Sequence, residues 1–248
     1  MTHEAATGLR TFVHPASLGP EGLDARGADA RRLVARGARP GDVIEALDGS
    51  GWSYLVHLLT ADAERCAGPT LARHLAPARR TKISLYHGLL DAADMRRMVA
   101  HATAAGVVAL HPTICGGSVV PLVATDDADA DWAALARDSA EAAGRGHVPL
   151  VAPPAMFDHA LDEAVRLGRD RFVLDPEGEA PAEALAARPF SVALFHPPGA
   201  RFTAEERDLA SARGARALRI DAATSGADPV RRALDALEAV YAALEPAG

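Results

Sequence analysis

From Thr81 onward, short apolar runs alternate with amphipathic stretches, and this alternation constrains the fold more than any other feature of the chain. Three of the runs, Ile83-Ser84-Leu85-Tyr86-His87, Val107-Val108-Ala109-Leu110-His111-Pro112 and Val192-Ala193-Leu194-Phe195-His196-Pro197, break off at a histidine. Short aliphatic and aromatic runs cut off by proline or glycine read as strands buried on both faces, as in parallel sheets. The stretch from about 91 to 105 puts Met95, Met98, Val99 and Ala102 on one helical face, and Gly106 ends it. Further helices are predicted at about 128–143, 157–167 and 228–244, the last opened by Asp228-Pro229. Further strands are predicted at 148–151, 171–174 and 216–220, and Thr203-Ala204-Glu205-Glu206 reads as a helix N-cap with an acidic first turn. The order predicts an α/β domain, a parallel sheet with helices on both faces.

The first seventy-five residues differ in texture. Thr11-Phe12-Val13-His14, Asp42 to Leu47 and Trp52 to Val56 are strand-like, with Pro40-Gly41-Asp42 and Asp48-Gly49-Ser50-Gly51 as turns. A short basic helix is predicted between Ala28 and Arg36. The expected division is therefore a small β-barrel over residues 1–75 and an α/β domain over 76–248.

Net charge is −7, so no overall positive field steers the chain onto nucleic acid. Arginine carries nearly all the basicity, Lys82 being the only lysine; Arg31, Arg32, Arg36 and Arg39 form the one local basic cluster. Aromatic residues are only 4%, too few for a base-stacking platform. Two cysteines, Cys66 and Cys115, make no disulfide framework, and Cys115 reads as a small buried filler. With no leader-like segment and no apolar run near eighteen residues, a cytoplasmic, non-membrane protein is expected.

No G-x-G-x-x-G follows a strand, and no P-loop, H-E-x-x-H, paired C-x-x-C or G-x-S-x-G is present. What remains is the histidines at strand ends. In open α/β sheets ligands bind beyond the carboxyl ends of the strands, so His87, His111 and His196 are expected to share one cavity there. Imidazole suits proton transfer or metal ligation.

The order of elements resembles a known family. Arg10-Thr11-Phe12-Val13, Pro40-Gly41-Asp42 and Asp48-Gly49 come first. Met95, Ala102-Thr103, Ala105-Gly106-Val107, Pro112, Ser118, Glu141, Gly144-Arg145 and Val148-Pro149 follow in register. Together these resemble the RsmE family, SPOUT-class methyltransferases that modify N3 of a uridine in small-subunit ribosomal RNA. The resemblance runs from residue 10 to about 244. It implies a PUA-like β-barrel, a SPOUT-type parallel sheet with a C-terminal trefoil knot, bound S-adenosylmethionine and a homodimer. Carried over position by position, it puts cofactor contacts at Leu194, His196, Pro197, Gly199, Leu218, Ile220, Ala223 and Ser225. Arg145 is expected to clamp a loop or a phosphate-like group beside the catalytic candidates His87, His111 and His196.

The chain also departs from that family. Its G-P-E-G-G-F loop is here His196-Pro197-Pro198-Gly199-Ala200-Arg201-Phe202, and its S-E-R-S is Cys115-Gly116-Gly117-Ser118. Thr224 and Gly226 stand where the family has arginine and glutamate, Ala142 where it has glutamine, and His87 where a glutamine follows the first strand. The expectation is a pocket rebuilt around histidine, with ribosomal uridine or a small-molecule ring nitrogen as methyl acceptor. The alternative is a non-methylating descendant, either a binding module or a histidine–metal enzyme.

Overall fold

The computed structural model describes residues 8–119, 126–220 and 228–245, with the backbone alone over 126–131. The chain divides into two compact units: residues up to Ala78 together with Ala140–Val148, and Arg79–Ser139 together with Pro149 onward. A single cut along the chain could not anticipate the return of 140–148 to the first unit.

In the first unit, strands β1 (Arg10–Phe12), β2 (Leu18–Gly19), β3 (Gly22–Arg26), β4 (Val43–Leu47), β5 (Trp52–His57), β6 (Thr60–Ala61), β7 (Arg65–Gly68) and β8 (Thr70–Leu75) form two four-stranded sheets. Helix α1 (Ala28–Ala35) contributes Ala30 and Leu33 to their core with Leu23, Ile44, Val56 and Leu58. Of the expected elements, those at β1, α1, β4 and β5 are present. The strands missed, such as β3 and β7, are short and carry glycine and charge rather than an apolar alternation.

Glu141 supplies this unit's one fully buried carboxylate among the described residues. It accepts from the Phe12 amide at 2.7 Å, the Thr11 hydroxyl at 3.1 Å and Arg32 at 2.8 Å, and it pairs with Arg36. Half of the basic cluster thus neutralises an internal charge. Gly144 sits at φ +67°, and a Cβ there would lie 2.9 Å from the Arg10 guanidinium, which explains a glycine three residues after that glutamate.

The second unit holds β9 (Lys82–Gly88), α2 (Ala92–Ala105), β10 (Ala109–Ile114), most of α3 (Asp126–Ala142), β11 (Leu150–Val151), β12 (Ala155–Met156) and α4 (Phe157–Arg166). After these come β13 (Asp170–Glu179), α5 (Pro181–Ala184), β14 (Ser191–His196), α6 (Ala204–Ala212), β15 (Arg216–Leu218) and α7 (Pro229–Leu244). All seven strands are parallel, in the order β11-β10-β9-β14-β13-β15, with β12 also on β10. One face, with Ile83, Leu85, Leu110, Val192, Leu194 and Leu218, is covered by α2 and α7 through Met95, Met98, Val99, Leu237 and Val240. The other, with Tyr86, Val173, Ala193 and Phe195, is covered by α4 and α6. Alternating side chains send consecutive residues to these opposite faces.

The second strand corrects the sequence reading. It runs not from 107 to 111 but through His111 and Pro112 to Ile114. Pro112 is tolerated because it lies opposite the break between β11 and β12, where no ladder bond is asked of it.

Candidate functional site

Register decides which histidines meet. His87 on β9 is level with His196 on β14, and both continue the rows of Leu85 and Leu194 toward the carboxyl ends. Their rings stack with centroids 4.7 Å apart and planes 10° apart. His111 is level not with His87 but with Tyr86, and so projects from the opposite face. There it stacks on Tyr86 at 4.2 Å, which stacks in turn on Phe195 at 4.4 Å, while its Nδ1 lies 3.4 Å from Glu163. The expected three-histidine cavity is therefore corrected to a pair, because one residue of register turns a side chain through the sheet.

Both members of the pair are buried. Burial pushes His87 down to about 4, against the support of its bond to the Gly88 carbonyl. His196 is lowered well below the ordinary imidazole value, chiefly by burial and then by His87 and Arg232. A base works best with its pKa near the operating pH, so two such neutral rings accept hydrogen bonds but take up protons poorly. Among the described residues no group of three or more His, Cys, Asp or Glu side chains could hold a metal ion.

A cleft of about 420 Å³, counting its open mouth, lies at the ends of β13, β14 and β15 and is lined by Leu174, Asp175, His196, Pro197, Gly199, Ile220 and Arg232 among others. Three local devices shape it. Leu218 pairs with both Leu174 and Glu179, so residues 175–178 bulge from β13 and carry Asp175 and Pro176 to the cleft. Gly178 permits the excursion, since a Cβ there would lie 2.6 Å from the Ala217 backbone. Pro198 packs so closely on Gly88 that an added Cβ would sit 2.3 Å from its ring.

Charged groups then tie the loop after β14 in place. Asp175 accepts from the Glu177 amide at 2.9 Å, Arg207 at 3.2 Å and Arg201 at 3.3 Å. Burial alone would raise its carboxyl; these partners outweigh that and hold it below the usual range. Arg232 on α7 donates to the Gly199 carbonyl at 2.8 Å. Thr203 and Glu206 form the capping box that opens α6, and Glu206 also accepts from the Gly116 amide at 2.6 Å. The family's S-E-R-S arginine has no counterpart here, Gly117 standing in its place at φ +80°, and Gly116, where the family has glutamate, has no room for a side chain, as its Cβ would meet Thr203 at 2.6 Å.

Of the residues expected to contact a cofactor, His196, Pro197, Gly199 and Ile220 line the cleft. Leu194 and Leu218 do not; both are fully buried in the core beneath α2 and α7. Ala223 and Ser225 lie outside the described residues, as do Thr224 and Gly226. Arg145 belongs to the 140–148 segment of the first unit. Cys115 is partly buried, and burial lifts its thiol to about 11, so it is no nucleophile. Sequence reasoning missed Asp175 and Arg232. Asp175 carried the signal used for the histidines, a polar residue directly after an apolar run, whereas Arg232 reaches the cleft from a helix remote in sequence.

A parallel α/β sheet with a loop-lined cleft at its carboxyl edge is a ligand-binding enzyme architecture. Residues 77–224 match the model of the RNA methyltransferase domain family, and the chain belongs to that family. No curated protein sequence matches it. Among solved structures it is similar to the ribosomal RNA small subunit methyltransferase E of Neisseria gonorrhoeae bound to S-adenosylmethionine. That likeness has 19% identity over 93% of this chain and 97% of the other, with a TM-score of 0.77. It is similar also to a methyltransferase structure from Legionella pneumophila with bound S-adenosylmethionine, at 18% identity over 95% and 97%, with a TM-score of 0.78. At such identities the likeness is one of fold.

Proposed function

We propose that this protein transfers a methyl group from S-adenosylmethionine to a ring nitrogen in RNA, in the manner of the RsmE-like enzymes. The observation that carries the reading is the family match across 77–224, which contains the strands and loops of the cleft. The lining suits the donor: Leu174, Pro197 and Ile220 offer apolar walls to a flat adenosyl group, and His196, whose Nδ1 is buried without a partner, is part of the same lining. When bound, the cofactor supplies an electrophilic methyl group on its sulfonium.

The chain's own residues bind and position. His196, Pro197, Gly199 and Ile220 would hold the donor, and Asp175 with Arg232 would fix the loop that carries three of them. Such positioning is worth several orders of magnitude in rate without any protein base. The family further suggests a PUA-like barrel in the first unit, a trefoil knot in the second, a homodimer and a cytoplasmic setting. A second reading has a small-molecule acceptor. It is favoured by the carboxylate of Glu206, which accepts from the Gly116 amide in the segment where the family carries arginine.

Calorimetric titration with S-adenosylmethionine, followed by transfer of labelled methyl to small-subunit ribosomal RNA, tests the proposal. Stoichiometric binding and labelled RNA are expected, with RNA affinity falling steeply as salt rises. No binding at millimolar cofactor overturns it. Binding with a flat salt response and no labelled RNA selects the small-molecule acceptor.

A further inference from the structure

Two charged side chains, Asp175 and Arg232, stand among the described residues that line the cleft. They differ in what they leave for a ligand. Asp175 is almost fully buried, and both its oxygens are engaged within the protein: Oδ1 accepts from the Glu177 amide and Arg201, and Oδ2 from Arg207. His196, the remaining titratable group of the lining, is kept neutral by burial and brings no charge.

Arg232 is placed otherwise. It reaches the cleft from the first turns of α7, and its Nη2 donates to the Gly199 carbonyl at 2.8 Å in an exposed bond. The guanidinium therefore stands where the cleft opens. A guanidinium carries five donors in a rigid, planar fork that matches the edge of an oxyanion. The Gly199 carbonyl fixes the plane of that fork but is a dipole, not a counter-ion. No ordering of a long, mobile side chain is then needed when an anion arrives, which favours binding.

We infer that Arg232 reads the carboxylate of the methyl donor. This specificity role rests on the cofactor reading above. S-Adenosylmethionine carries a single anion, the carboxylate of its methionyl part, and Arg232 is the cation that the described lining offers to it. The apolar walls at Leu174, Pro197 and Ile220 are left to the adenosyl part. A phosphate of the acceptor would suit the same fork, and a test made without RNA separates the two.

That test is titration of the whole chain with S-adenosylhomocysteine and with its decarboxylated counterpart, which keeps the adenosyl group, the thioether and the amine. The decarboxylated compound is expected to bind ~10-fold or more weakly, the worth of about one charge-assisted hydrogen bond. The difference should shrink as salt rises, because the contact lies at an open mouth. Arg232→Gln keeps an N–H for the Gly199 carbonyl and removes the charge, and there the ratio of affinities falls close to one. A loosened loop weakens both ligands alike and leaves the ratio where it was, so the ratio separates recognition from a merely structural role. Should that variant fail to fold, Arg232→Lys, which keeps the charge and loses the fork, is expected to lower the ratio severalfold. Equal affinities in the unsubstituted protein, or an unchanged ratio in the folded variant, overturn the inference and leave the cofactor reading standing. Failure of both ligands to bind the unsubstituted protein overturns the two together.

Discussion

His87 and His196 stack face to face, 4.7 Å between ring centroids, because they occupy level positions on the neighbouring parallel strands β9 and β14. The stack closes a row of aliphatic side chains, Leu85 and Leu194 among them, and so shares the low polarity of the hydrophobic core. Consequences for stability, loop order and reactivity follow from that placement.

The first concerns pH. His87 titrates near 6.5 when unfolded and at about 4 when folded, so between those values the unfolded chain binds more protons. Stability is therefore full above pH 6.5 and falls as pH drops toward 4, by about 3 kcal/mol for this group alone. Urea midpoints measured from pH 8 to pH 4 should decline over that window, and His87→Phe should flatten the decline. An unchanged profile in the variant would show that another group governs it.

Asp175 is expected to act through the loop it holds. Asp175→Asn weakens two arginine pairs at once, those with Arg201 and Arg207, while keeping the side chain's shape. Cofactor affinity should fall by roughly tenfold, the worth of about one charged hydrogen bond. Amide exchange across 197–203 should quicken, with little change elsewhere. Uniform quickening over the whole sheet would instead mark a general loss of stability.

Glu141 is a structural carboxylate, and Glu141→Gln leaves Arg32 and Arg36 facing a neutral amide. Both arginines are about one-third exposed, which softens the loss, and about 2 kcal/mol is expected. Chemical denaturation followed through Trp52, on β5 of the same unit, would read it. A midpoint equal to that of the unsubstituted chain would refute the assignment.

Thiol chemistry gives a simple check on burial. Cys115 is lifted to about 11 and Cys66 is raised as well, burial being the main cause for each. Neither should react with maleimide at pH 7.5 within an hour in the folded chain, and both should react in 6 M guanidinium. Rapid labelling of Cys115 in the native protein would contradict its placement.

Much of the architecture was legible in the residues. Met95, Met98, Val99 and Ala102 face the core from α2, Gly106 closes that helix at φ 98°, and Thr203 with Glu206 caps α6. These features depend on neighbours three or four residues away, and local sequence specifies them directly. The family, too, could be read from the order and spacing of short motifs along the chain.

The site was legible only in part. A run ending in histidine announces a strand and a polar end, yet which histidines meet depends on the register between strands far apart in sequence. That register puts His87 with His196, and it lays His111 against Tyr86 on the other face. The sequence by itself determined the periodicities, the caps and the family. The tertiary structure alone decided the pairing of the imidazoles, the burial that keeps them neutral, and the recruitment of Asp175 and Arg232. Those depend on which strands lie side by side and on how far water is excluded between them, quantities set by packing across the whole sheet.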